Sequence, residues 1–452
     1  MLELISERVI NFILFWGIWL LVPLLVDAST AFVYLLSLFV TNKSEDLSDF
    51  KLEFYPIVTM VVPVYNSAGT LKMCLESLVN QSYPNSSVQV ICIDNGSKDN
   101  SFDVFQEFQS QNHDMSVMWV SIDRPSKSIA LNVGMYSGQG TYLINLDSDT
   151  WLGRDAIQNV VKTFEKDSTL MAATGSIRVD KVLGKQNSFI DLINYCEVVE
   201  YLIAFDIGKR YQSMTNTIFT LSGAFSAFRR ETIMQSFLYQ ERTVSEDTDL
   251  TFHIRNAIKG KNGRIGCVSK AFAYVEPIET LARLYSQRLR WQRGEMEVAS
   301  AYYTNVTHVF KSVFDLVGRT LLTDHTLALA QMSWTFLLPF MFMIGYSLPM
   351  VSVAMGGMFV SYLLLDILYF YVAYRGADDL FRKELYKIRW IIFILPFYRY
   401  MLYWFRMAGN IQVMTEAKSW KVQNPIEQLA DVFAEYKKRI LSWSLFKKNA
   451  RR

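Results

Sequence analysis

The sequence contains few of the residues that build zinc or thiolate centres. Its 452 residues include four cysteines and four histidines. The cysteines (Cys74, Cys92, Cys196 and Cys267) have no metal-ligand spacing, so we expect reduced thiols in a cytosolic part of the protein. The formal net charge is only +2, which argues against nucleic acid as a partner.

Two further signals are missing. No Gly-x-Gly-x-x-Gly motif follows the first predicted strand, which argues against a nucleotide-binding oxidoreductase. The apolar N-terminal segment lacks the basic start and small-residue cleavage site of a signal peptide, so we expect it to be an anchor.

Apolar residues, in contrast, are abundant. Hydrophobic residues make up 51% of the chain and charged residues 19%, a composition shifted toward membrane proteins. Three apolar segments are long enough to span a bilayer core: residues 9–40, 327–350 and 351–374. A buried helix of a soluble protein is the alternative for the first segment.

The remaining C-terminal segments are less uniform. Residues 314–326 are amphipathic and are expected at the membrane surface. Residues 388–414 carry Arg399 and Arg406, so they form either a fourth span with snorkelling arginines or an interfacial helix. The basic tail at 418–452 is expected in the cytosol. If the domain before these segments is also cytosolic, the chain must cross the membrane an even number of times between the domain and the tail. This favours the interfacial alternative for residues 388–414.

Predicted strands alternate with predicted helices between these apolar segments. The strands are expected at 57–63, 88–93, 118–122, 142–147 and 172–178. The helices are expected at 70–79, 99–110, 129–136, 156–164 and 190–205, followed by a long helix at 281–301. This alternation predicts an α/β domain with a doubly wound parallel sheet.

The most informative stretch is the predicted strand that ends in Asp147-Ser148-Asp149. Ligands of open α/β sheets bind beyond the carboxyl ends of the strands. Paired carboxylates there form a hard oxygen site for Mg²⁺ or Mn²⁺, which can hold substrate phosphates. A plain turn that caps the next helix is the alternative.

Two motifs follow later in the chain. Ser245 is a candidate helix cap before an acidic first turn containing Glu246 and Asp247. Gln287, Arg290 and Trp291 stand at i, i+3 and i+4 and therefore share one helix face. An arginine there can bind a planar or phosphate oxyanion with two hydrogen bonds, and a tryptophan offers a flat apolar face. Ordinary helix packing is the alternative.

The order of these features resembles the family 2 glycosyltransferases with the GT-A fold. More narrowly, it is similar to the membrane-embedded synthases of cellulose, hyaluronan, chitin and poly-N-acetylglucosamine. The features in order are Pro63-Val64-Tyr65-Asn66, Asp94-Asn95-Gly96-Ser97, Asp147-Ser148-Asp149, Ser245-Glu246-Asp247 and Gln287-x-x-Arg290-Trp291. The resemblance covers residues 57–291 by motif and the flanking spans by layout.

The resemblance implies a role for each motif. Asp247 would be the catalytic base, and Asp149 with Asp147 would bind the metal. The residues that would contact the nucleotide sugar are Pro63, Tyr65, Asn66, Asp94, Lys127, Asp147, Gln287 and Arg290. Those that would face the acceptor are Gly223, Glu246 and Trp291. For Asp94 a simple Asx turn is the alternative, and Lys127 is preferred over Arg124 as the basic residue.

The function implied by the resemblance is inverting transfer of a sugar from a UDP-sugar to a growing glycan at the cytosolic face of the plasma membrane. Processive synthesis with export is expected; a single transfer to a lipid-linked acceptor and an inactive membrane scaffold are the alternatives. Membrane lipids and a partner subunit for export are further expected partners.

The expected organisation is an anchor at 1–45, a GT-A domain at 55–280, interfacial helices at 281–325, transmembrane or interfacial helices at 326–415 and a tail at 416–452.

Overall fold

The computed structural model describes residues 24–40, 47, 49–180, 189–302, 316, 337 and 340–415. Most of the predicted anchor, nearly all of the amphipathic segment at 314–326 and the whole basic tail lie outside the described residues. All four cysteines are described; each is buried, and none is joined to another by a disulfide.

Eight described strands form one sheet, in the order β3-β2-β1-β4-β7-β6-β8-β5. They are β1 (Val58–Val64), β2 (Val88–Asp94), β3 (Ser116–Ser121), β4 (Tyr142–Leu146), β5 (Thr150–Leu152), β6 (Leu170–Val179), β7 (Phe225–Arg229) and β8 (Arg264–Val275). The first four strands are parallel, as predicted. The prediction of a wholly parallel sheet is wrong, because β7 is antiparallel to both β4 and β6, and β5 is antiparallel to β8.

Helices cover both faces of this sheet. The helices of this part of the chain are α1 (Leu24–Val40), α2 (Leu71–Val79), α3 (Ser101–Gln111), α4 (Lys127–Ser137), α5 (Ala156–Lys166), α6 (Phe189–Tyr201), α7 (Gly208–Met214), α8 (Arg230–Met234), α9 (Glu246–Ala257) and α10 (Leu281–Tyr302). The predicted helix at 190–205 changes to a π-helical turn at Leu202–Ile207, so it does not remain α-helical to its expected end. Thr70, the first residue of the helix predicted at 70–79, precedes α2, and its side chain makes no capping hydrogen bond.

The core consists of two apolar layers, one on each face of the sheet. In β1, Met60 and Val62 contact the layer that contains α2, α3, α5 and α6, whereas Val61 contacts the layer that contains α4 and α9. Successive side chains of a strand point to opposite faces, and every residue of β1 is buried. This two-sided burial explains why its sequence is continuously apolar rather than alternating.

The C-terminal part contains α11 (Leu348–Gly376), α12 (Asp379–Lys387) and α13 (Leu395–Thr415). The predicted continuous span at 327–350 is wrong in its described part, because a 3₁₀ turn at Met341–Ile344 ends at Gly345, whose φ is +101°. The charged segment after α11 contains α12, whose acidic start and basic end favour a helix. Arg399 does not snorkel: it forms an ion pair with the buried Asp366 of α11.

Candidate active site

The carboxyl ends of three adjacent parallel strands form the floor of the candidate site. In the β1–β2 register Val64 lies opposite Asp94, and in the β1–β4 register Val61 lies opposite Asn145. The loops that leave β1, β2 and β4 therefore emerge at one edge of the sheet, where α/β proteins bind ligands. This edge brings the residues around Pro63, Asp94 and Asp147 together.

The loops after β1 and β2 are joined by hydrogen bonds. The Asn66 backbone N–H donates to Ser97 Oγ at 3.1 Å, and the Lys98 N–H donates to Asn66 Oδ1 at 2.8 Å. Asn66 has a φ of +49°, a left-handed conformation that asparagine tolerates better than most residues. Tyr65 beside it is 52% exposed and leaves its ring accessible to a ligand.

Asp94 forms the Asx turn that was the alternative to a binding role. Its Oδ1 accepts a hydrogen bond from the Ser97 N–H at 2.8 Å, and Gly96 within the turn has a φ of +84°. The turn holds the half-buried carboxylate at the edge of the site. It therefore positions Asp94 and does not exclude a contact with a nucleotide.

Lys127 connects the paired-carboxylate loop with the acidic helix start. Its Nζ lies 2.8 Å from Asp147 Oδ1 and 3.6 Å from Glu246 Oε1. Lys127 is the first residue of α4, which Ser126 caps by accepting from the Ile129 N–H. Burial disfavours the charge on Lys127, but Asp147 and Glu246 outweigh this effect and raise its pKa. The lysine is therefore a fixed cation between the two motifs.

The paired carboxylates occupy different environments. Burial raises the pKa of Asp147 to about 6, while Lys127 favours its ionised form. Asp149 is exposed at the surface of the site. Ser148 between them is buried, and its Oγ lies 2.7 Å from Ser67 Oγ in the loop after β1. The hydroxyl pair anchors the loop, so its carboxylates are positioned by the protein itself.

Asp247 lies half-buried in the first turn of α9. Its Oδ2 accepts a hydrogen bond from the Gly223 N–H at 3.0 Å, and its Oδ1 accepts one from the Thr248 N–H at 2.7 Å. Burial and the neighbouring Glu246 raise the pKa of Asp247. A side chain at Gly223 would place its Cβ 3.2 Å from Asp247 Oδ2, so glycine allows this close approach.

The expected cap at the start of α9 differs in one detail. Ser245 occupies the cap position, but its side chain makes no capping hydrogen bond. Asp249, one turn into the helix, is fully buried and accepts two hydrogen bonds from Arg242, at 2.9 and 2.6 Å. Asp249 is thus engaged in an ion pair that holds the preceding loop, whereas Glu246 and Asp247 remain at the site.

The residues of the Gln-x-x-Arg-Trp motif are arranged on α10. Arg290 is exposed, and its charge opposes protonation of Lys127, which places it electrostatically next to the site. Trp291 packs against Phe205 with ring centroids 5.3 Å apart. The Arg288 guanidinium lies 4.3 Å from the centre of the Trp291 ring, and Arg288 donates to Gln287 Oε1 at 2.8 Å. Helix packing thus accounts for much of the Trp291 surface.

Sequence reasoning missed Glu276. It follows β8, whose last residue, Val275, lies opposite Thr150 in β5, and this register places Glu276 beside Asp149. Burial raises the pKa of Glu276, and the negative charge of Asp149 adds to the shift. No motif marks Glu276. The apolar pattern of β8 could have indicated its position at the end of a strand, but we did not predict β8 as a strand.

A mixed sheet with helices on both faces and a paired-carboxylate loop at the ends of its parallel strands defines an α/β domain of the GT-A class. The fold resembles a mannosyltransferase from Pyrobaculum calidifontis, solved in complex with GDP-Man and Mn²⁺, with a TM-score of 0.57 and 16% identity. The match covers 88% of this chain and 99% of that chain. At this identity the likeness establishes the fold.

Residues 59–237 match the family model described as Glycosyl transferase family 2. The chain is 28% identical over 244 residues to a poly-beta-1,6-N-acetyl-D-glucosamine synthase of Staphylococcus epidermidis, covering 53% of this chain and 55% of that protein. It is 26% identical over 291 residues to a synthase of the same description from Staphylococcus aureus, covering 64% and 66%. The chain thus spans between about half and two thirds of the length of these relatives. Residues 59–237 thus carry a family 2 glycosyltransferase domain, which confirms the resemblance noted in the sequence.

Proposed function

We propose that the protein transfers N-acetylglucosamine from UDP-N-acetylglucosamine to a growing glycan, with inversion at the anomeric carbon. The observation that carries this proposal is the position of Lys127, whose ammonium group contacts Asp147 on one side and Glu246 on the other. These contacts support the proposal that the predicted donor motif and the predicted acceptor motif belong to one site. The choice of sugar is supported by the two synthases to which the chain is similar.

The donor set of the paired-carboxylate loop fits a divalent cation. Asp147 and Asp149 supply carboxylate oxygens, the ligands that Mg²⁺ and Mn²⁺ prefer when most other positions remain for water and phosphate. Within the part of the chain that the structure describes, there is no cluster of three or more acidic, histidine or cysteine ligands. A cation held by the two aspartates would neutralise the negative charge of the leaving diphosphate.

Side chains of the protein carry out the remaining parts of the reaction. Asp247 accepts the proton of the attacking acceptor hydroxyl, because its two hydrogen bonds fix the carboxylate and its raised pKa makes it a better base than an ordinary aspartate. The hydroxyl oxygen displaces UDP in one step, which requires one base and inverts the configuration. The positive charges of Lys127 and Arg290 stabilise the bound diphosphate of the donor.

The apolar C-terminal helices support synthesis at a membrane. Among the described helices, α11 is long and apolar enough to cross a bilayer. Only 22% of its most apolar stretch is buried inside the protein. An outward-facing apolar surface of this kind suits lipid. We propose that the GT-A domain works on the cytosolic face and that the glycan is extended processively and exported, with a partner subunit completing the path.

Donor and product can be determined together on the full chain in lipid nanodiscs with Mg²⁺ or Mn²⁺. UDP-sugars are supplied one at a time, with GDP-Man as the control donor; nucleotide release and product size are measured. UDP release with UDP-N-acetylglucosamine and a long polymer are expected. Release that depends on an added lipid acceptor would contradict processive synthesis, and nucleotide release from GDP-Man alone would contradict the proposed donor.

A further inference from the structure

Helix α10 approaches the start of the acidic helix α9 at a distance that requires glycine. A Cβ atom on Gly294 would lie 1.9 Å from Ser245 Oγ, 2.6 Å from Ser245 Cβ and 3.1 Å from the Ser245 backbone nitrogen. Glycine within a helix is less favourable than alanine by about 1 kcal/mol. The close packing explains why a glycine is nevertheless present here.

One turn later, Glu297 binds the same segment. The Val244 N–H donates to Glu297 Oε2 at 3.0 Å, while Arg293 Nε donates to Glu297 Oε1 at 2.9 Å. Arg293 is fully buried and Glu297 is 4% exposed. A buried carboxylate with both oxygens engaged is held in a fixed orientation, so it fixes the backbone at Val244 as well.

The start of α9 does not fix its own position through a local cap. Ser245 makes no capping hydrogen bond, so the first turn lacks the usual side-chain support at its cap. The contacts described above come from α10 instead: Gly294 packs on Ser245, and Glu297 binds Val244. Asp247 lies directly after this segment in the chain.

Helix α10 is itself held by contacts with α6 and α13. Arg288 donates hydrogen bonds to Glu197 at 3.0 Å and Glu200 at 2.8 Å, and Tyr398 of α13 donates to Glu200 at 2.6 Å. A Cβ on Gly409 of α13 would lie 3.0 Å from the Gln292 side chain, which shows that these two helices also pack closely. Helix α10 is therefore a rigid support that the start of α9 contacts.

We infer that Gly294 and Glu297 are positioning residues for the catalytic base: they fix residues 244–246 against α10 and thereby set the position of Asp247. This inference rests on the proposed role of Asp247. Neither residue belongs to the Gln-x-x-Arg-Trp motif, and neither is placed in contact with the substrate. Their effect on catalysis is exerted through the backbone before Asp247.

The test is a set of variants of the full chain in nanodiscs, with kcat, KM and UDP affinity measured for each. Gly294→Ala is expected to lower kcat on the order of 100-fold, the effect of misplacing a catalytic group by about 1 Å. UDP affinity should change much less than kcat, since Lys127 and the strand-edge loops are not substituted. Gly356→Ala in α11 is the matched control, because an added Cβ there meets nothing within 4 Å.

Rescue separates a positioning role from a general structural one. Ser245→Gly removes both side-chain atoms that the new Cβ would meet, so the Ser245→Gly/Gly294→Ala double variant should recover most of the lost kcat. Glu297→Ala should also lower kcat, and Glu297→Gln should retain more activity because an amide oxygen can still accept from Val244 N–H.

Wild-type kcat in both Gly294→Ala and Glu297→Ala would overturn the inference. Loss of UDP affinity together with kcat, without recovery in the double variant, would also overturn it, because the damage would then be general. Asp247→Asn is measured alongside: near-normal turnover in that variant would reject the proposed base itself. The two failures are therefore distinguishable.

Discussion

The ammonium nitrogen of Lys127 lies 2.8 Å from Oδ1 of Asp147. Both side chains are largely buried, at 24% and 23% exposure, so water screens the pair less than it would at the surface. The positive charge favours the ionised form of Asp147 against the effect of burial. Lys127 therefore maintains the charge state of a predicted metal ligand and presents a cation where the diphosphate of a nucleotide sugar would bind.

Removing this cation should weaken donor binding. Lys127→Met is expected to raise the Kd for UDP on the order of 10- to 100-fold, since a hydrogen bond to a charged group contributes roughly 1.5–3 kcal/mol. Isothermal titration with UDP measures the effect. Lys127→Arg keeps the charge, so its Kd for UDP should lie between those of the wild type and Lys127→Met. An unchanged Kd in Lys127→Met would remove the residue from the donor site.

Asp149 should be needed for metal binding. Asp149→Asn removes the charge of an exposed carboxylate in the paired loop, so we expect weaker Mn²⁺ binding and loss of metal-dependent UDP release. Manganese binding is measured by electron paramagnetic resonance. Asp155→Asn is the matched control, because Asp155 is a nearby exposed acid that makes no capping hydrogen bond. Equal Mn²⁺ affinity in both variants would contradict the assignment.

The pH dependence of transfer should report Asp247. A base must be deprotonated, so kcat/KM should rise as the pH increases through the pKa of Asp247, which lies above the ordinary aspartate value. Glu246 raises this pKa and Lys127 lowers it. The acidic limb should therefore move to lower pH in Glu246→Gln and to higher pH in Lys127→Met. Shifts in the same direction for both variants would contradict this account.

Asp249 should contribute to stability rather than to chemistry. Asp249→Asn removes the charge from a fully buried side chain that accepts two hydrogen bonds from Arg242. We expect about 2 kcal/mol of lost stability, visible as a lower thermal unfolding midpoint in detergent. The remaining folded protein should retain transfer activity. A variant with a normal midpoint and no turnover would show that Asp249 acts in catalysis.

The proximity of the donor-side residues could be predicted from the sequence, because parallel strands place their carboxyl ends at one edge of the sheet. Asp94 and Asp147 could thus be assigned to one region from the order of the strands, whereas Lys127 was assigned through the family resemblance. Strand β7 was not among the predicted strands, and its direction could not be predicted either, since a central strand is apolar whether it runs parallel or antiparallel. Strand β8 was missed because Ser269 and Lys270 interrupt its apolar run where its pairing with β6 is irregular.

The support behind Asp247 was also beyond the reach of sequence patterns. Val244 and Glu297 are separated by 53 positions, and no local periodicity relates them. Likewise, the stacking role predicted for Trp291 could not be weighed against packing until Arg288 was found over its ring. Contacts between distant segments depend on tertiary packing, which single-sequence patterns describe poorly.

The most direct test of the account compares wild type with Asp247→Asn in nanodiscs, supplied with UDP-N-acetylglucosamine and a divalent cation. Single-turnover sugar transfer and UDP affinity are measured on the same samples. We expect Asp247→Asn to bind UDP as tightly as wild type and to transfer sugar at least about 1,000-fold more slowly, because the acceptor hydroxyl loses its base. Transfer by Asp247→Asn at the wild-type rate would contradict the proposed mechanism.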